Sequence, residues 1–87
     1  MIKLSTYSGL VPMGLLYELE AYVNERCPVC YSTDRLLSND LLAAVFALDD
    51  EGFAALKPIC ELIRWELPAT CHGSSERVQA WLQGKGR

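Results

Sequence analysis

The sequence predicts an all-α or α-rich domain, a compact bundle of four to five short helices with at most one short N-terminal strand or two-stranded element. Three observations carry that expectation. Apolar residues recur at helical spacing in several segments of the 87-residue chain. Good N-cap residues stand before those segments. Only residues 2–7 alternate apolar and polar in the manner of a half-exposed strand. With 51% apolar residues against 22% charged, burial can offset the entropy of ordering, so the chain folds. Eighty-seven residues support one small core, and 1–87 is read as a single domain ending in a frayed basic tail, 84–87.

Taken in order, Ile2-Lys3-Leu4-Ser5-Thr6-Tyr7 is the candidate strand. Pro12 opens a helix over Met13 to Glu25, where Leu15, Leu16, Leu19, Tyr22 and Val23 close on one face at 100° per residue. Cys27-Pro28 ends it, because the residue before proline avoids the helical region. Ser38, Asn39 and Asp40 are N-caps for a second helix over Asn39 to Leu48. That helix is apolar all round and is expected to be the buried one. Asp49 or Asp50 caps a third, running from Phe53 to Leu67, which Pro58 divides: a short turn ends near Lys57 and a new helix starts with Pro58 in its first turn. Pro68 stops it, Ala69 to Gly73 is loop or a second short strand, and Ser74 or Ser75 caps a last helix with Val78, Trp81 and Leu82 that Gly84 terminates.

Eight Lys and Arg against eleven Asp and Glu give a net charge of -3. That excludes a nucleic-acid binder working by phosphate neutralisation. The longest apolar run, Leu41 to Leu48, is far short of the about 20 residues a membrane span needs, so no membrane is expected. Four cysteines are fewer than a disulfide scaffold uses, which favours reduced thiols and a cytoplasmic location.

Cys27-Pro28-Val29-Cys30 is the one motif-like string. Its C-x-x-C spacing lets two sulfurs converge on a metal, and with Cys71 and His72 as the other pair it makes a zinc-stabilised domain the alternative to a protein without cofactor. Followed by Arg35-Leu36-Leu37, the string also resembles, over about a dozen residues, the C-P-x-C segment and helix start of glutaredoxin-like proteins. The resemblance implies a thiol oxidoreductase whose first thiol is acidified by a helix N-terminus. The chain departs from that family where Met13 to Glu25 reads as helix in place of a strand, and the catalytic roles are not carried over. His72, the one histidine, would have to meet Cys27, Cys30 or Cys60 across space to form a hydrolytic pair. The expectation is that the protein is not an enzyme.

In the third helix, Phe53, Leu56, Ile59, Cys60, Ile63 and Leu67 share a face, with Leu62 and Trp65 outside it. A helix apolar on two sides is either central or covered by another molecule. A protein-binding surface is therefore expected around Leu62, Trp65 and Tyr17, rimmed by Glu18, Glu20, Glu61 and Glu66 and facing another protein or a second copy. A small acidic module of this kind suits a regulator or inhibitor, including one encoded by a phage or mobile element.

Overall fold

The computed structural model describes residues 2–84. A 3-10 turn at Ser5–Tyr7 leads to α1 (Met13–Glu25), α2 (Tyr31–Leu37), α3 (Leu41–Ala47), α4 (Asp50–Ala54) and α5 (Leu56–Glu66). A second 3-10 turn at Ala69–Cys71 precedes α6 (Ser75–Leu82). The fold is all-α, as expected, and no strand occurs among the described residues.

α1 is the centre. Its stripe closes inward with Leu16, Leu19, Tyr22 and Val23 buried. Arg26 ends the helix in the left-handed region, φ 56°, two residues before Pro28. Its guanidinium donates to the Trp81 carbonyl at 2.8 Å and lies 3.8 Å from the centre of the indole. The Trp81 Nε1–H donates to the Tyr22 carbonyl at 2.9 Å, and the Tyr22 hydroxyl donates to the Cys71 carbonyl at 2.6 Å. These bonds fasten the end of α1 to α6 and to the second 3-10 turn. Burial holds the Tyr22 hydroxyl protonated far above its usual range.

The expected N-terminal strand is corrected. Its alternation does report one-sided burial, since Leu4 is buried and Ile2 packs against the core. The partner is a helix. Ile2 N–H donates to Asn24 Oδ1 at 2.8 Å, Asn24 Nδ2 donates back to the Ile2 carbonyl at 2.7 Å, and Leu4 N–H donates to Glu20 Oε2 at 2.6 Å. Side chains of α1 thus satisfy backbone groups that would otherwise need a second strand.

α2 was not expected as a separate helix. Glu18 of α1 accepts the Cys30 N–H at its start, and Asn39, at φ 64°, turns the chain away at its end. Gly73 N–H then donates to the Leu37 carbonyl at 2.7 Å, closing the entry to α6 onto the end of α2.

The buried central position expected for the second helix is also corrected. α3 packs on α2 through its small side, with Ala44 its one buried residue, and turns Leu41, Leu42 and Phe46 outward. The interior is already filled by α1, by Leu36 and Leu37 of α2, and by α5 and Trp81. The break before α5 falls at Ala55, and Pro58 lies in the new first turn, where its missing donor is harmless. That break separates Phe53 from α5 and re-centres the inward arc on Ile59, Leu62 and Ile63. Ser74 caps α6, its hydroxyl accepting the Arg77 N–H at 3.2 Å. Gly84 follows α6 with φ 79°, and the basic tail beyond it lies outside the described residues.

Tyr22→Phe removes a buried donor and leaves the Cys71 carbonyl unpaired. It should cost about 1–3 kcal/mol, read as a lower urea midpoint with an unchanged slope.

Candidate functional site

The expected surface around Leu62 does not exist as drawn. Leu62 is 0% exposed and belongs to the core; counting Phe53 and Cys60 into the inward face had displaced it. Trp65 is 69% exposed, with the Arg64 guanidinium 5.1 Å from its ring centre. Glu61 and Glu66 are exposed beside it on α5, and the Tyr7 hydroxyl approaches Glu66 Oε2 at 3.4 Å. Tyr17 is exposed, but the depression next to it is lined by Glu20, Ala21, Asn24 and Glu25 of α1 and by nothing from α5. Glu18 and Glu20 do not form a rim. Glu20 holds Leu4, while Glu18 holds Cys30 N–H and, at 2.7 Å, the hydroxyl of buried Thr33.

The cysteines are likewise dispersed. Cys30 stands at the N-cap position of α2 with no capping bond from its side chain, Cys27 N–H donates to the Ala21 carbonyl at the end of α1, and buried Cys71 takes the Tyr22 hydroxyl on its carbonyl. All four thiols are unbridged. Burial pushes the Cys71 thiol up to about 11, which keeps it protonated. Among the described residues no group of three or more His, Cys, Asp or Glu side chains stands close enough to hold a metal, so Cys27, Cys30, Cys71 and His72 are not gathered into one set. The glutaredoxin-like geometry is absent too. The second cysteine, not the first, sits at the helix start, and the negative charge held there is the Glu18 carboxylate, 3.7 Å from the Cys30 sulfur. Cys60 and His72 border one depression of about 190 Å³. No hydrogen bond joins them, and burial raises the Cys60 thiol, the reverse of what activates a nucleophile.

The site that sequence reasoning missed lies on α3 and α4. Leu42 is 76% exposed and Phe46 87%. One turn apart, they share a face of α3. Leu41 and, across the connection, Phe53 of α4 are also exposed. α4 sits tight against the residue that ends α3 because residue 52 is glycine: a Cβ there would stand 2.9 Å from Leu48 Cδ2. Asp49 caps α4, its Oδ1 accepting Gly52 N–H at 2.7 Å. Beneath this connection, between it, α1 and the start of α2, opens a cleft of about 350 Å³ lined among others by Leu15, Glu18, Cys30, Thr33, Asp49 and Glu51. The uninterrupted apolar run of α3 was the available signal, and it was read as burial.

No family model, curated protein or solved structure matches this chain.

Leu62→Ala should cost about 2–5 kcal/mol, whereas Trp65→Ala should stay within about 0.5 kcal/mol, by chemical denaturation. His72 gives a pH signature. Its Nε2 is enclosed with no protein partner, and burial holds the imidazole below its usual 6.5. The unfolded chain takes the proton more readily, so the stability it contributes is whole above the unfolded pKa and is lost as pH falls through the folded value. Between about pH 7.5 and about pH 5, the urea midpoint should fall less in His72→Gln than in the parent.

Proposed function

We propose that the chain works by binding another protein through the α3–α4 face, as a regulator or inhibitor. The observation that carries this reading is the exposure of Leu41, Leu42, Phe46 and Phe53 on two adjoining helices. Large apolar side chains scattered singly over a surface are ordinary; four between residues 41 and 53 are a concentration of the kind that marks an interaction site. Aromatic anchors flanked by polar groups are the usual centre of such sites, because they bury much area and lose little side-chain entropy. The protein-binding expectation is thereby retained, with its centre moved from Leu62 and Trp65 to Phe46. Trp65 and Tyr17 are left as separate exposed aromatics.

A benzophenone-bearing phenylalanine analogue at position 46, irradiated in cells that produce the protein, should give a discrete heavier adduct. The same analogue at position 79, exposed on α6, should give none. No adduct at position 46, or equal adducts at both positions, would remove the reading.

A further inference from the structure

Resting on that reading, we propose that the occupant of the α3–α4 face is a partner-protein segment whose apolar side chains are flanked by Arg or Lys, and not a second copy of this chain. The argument is one of charge. From Leu41 to Lys57 the sequence holds three acids, Asp49, Asp50 and Glu51, against one cation, the exposed Lys57 in the first turn of α5. Asp50 and Glu51 are exposed in the first turn of α4, between Phe46 and Phe53. The nearest preceding cation, Arg35, is occupied by Asp34 at 3.5 Å and Asp40 at 3.2 Å. The cleft adjoining the patch shares Leu48, Asp49, Glu51 and Gly52 with the α3–α4 connection, adds Glu18, and has no cation in its lining.

A segment that laid apolar side chains on Leu42, Phe46 and Phe53 would therefore bring its neighbouring side chains over carboxylates. An ammonium or guanidinium there gains attraction, and the Asp49–Glu51 edge of the cleft offers it oxygen acceptors in place of water. A second copy meets the opposite situation. Two-fold pairing sets the same patch against itself, so the apolar residues would match but three acids from each chain, against one lysine, would crowd one rim. With a net charge of -3 on each chain, the approach is also repelled at long range.

The test uses a displayed library of random peptides selected on the intact chain. Recovered sequences are then synthesised and titrated by fluorescence anisotropy. Circular dichroism of each variant confirms that it retains its helices. The expected peptides carry clustered Leu, Phe or Trp beside Arg or Lys. Their binding should be abolished by Phe46→Glu or, should that variant misfold, by Leu42→Glu, and weakened about tenfold by Asp50→Asn with Glu51→Gln. Peptides that require Phe46 but carry no excess positive charge would overturn the inference and leave the α3–α4 reading standing. Failure to recover any peptide that depends on Phe46 or Leu42 would remove both. A dimer in sedimentation equilibrium that Phe46→Glu dissociates would make the second copy the occupant and overturn the inference.

Discussion

The structure depends on the packing of Trp81 against the end of α1. The indole donates to the Tyr22 carbonyl and carries the Arg26 guanidinium on its face, while the Tyr22 hydroxyl donates to the Cys71 carbonyl. Arg26 closes α1 in the left-handed region, its N–H donating to the Tyr22 carbonyl. Because α6 and the second 3-10 turn are held there, and Gly73 in turn is tied to Leu37, residues 69–82 are fixed to α1 and α2 together. α5 then fills the remaining space with Ile59, Leu62 and Ile63.

Room inside is set by how few helix faces can reach the core. An 87-residue chain has a high ratio of surface to volume, and here the helix most apolar in sequence is the one left outside. α3 is only seven residues long, and its alanines allow a close approach to α2. Its larger residues have no second element above them. Surplus apolar surface and local acidity thus coincide at α3 and α4, and the proposed partner chemistry rests on their combination, since neither alone specifies one.

Legibility in the sequence followed the number of independent signals at each element. α1 had a five-residue stripe and a proline at each end, and it was placed correctly. The division before α5 was readable from Pro58, and α6 from its serine caps. α2 was missed because its stabilisers are remote: Glu18 supplies the acceptor at its start, and no local pattern announces a cap contributed from another helix. The candidate site was legible as a quantity and not as a location. An excess of apolar side chains pointed to a covered surface, yet uniform apolarity in α3 cannot distinguish a helix surrounded by its own chain from one awaiting another. Face counting across a helix break put Leu62 on the wrong side for a related reason, since periodicity holds only within one continuous helix.

The N-terminal segment has a consequence for how such a chain tolerates change. Ile2 and Leu4 are anchored by Asn24 and Glu20, two positions that a helical projection assigns to solvent. Sequence drift would therefore be restrained at polar sites on the outside of α1 as well as at leucines within it. The opening residues could meanwhile vary in their own polar side chains, because what α1 grips is their main chain.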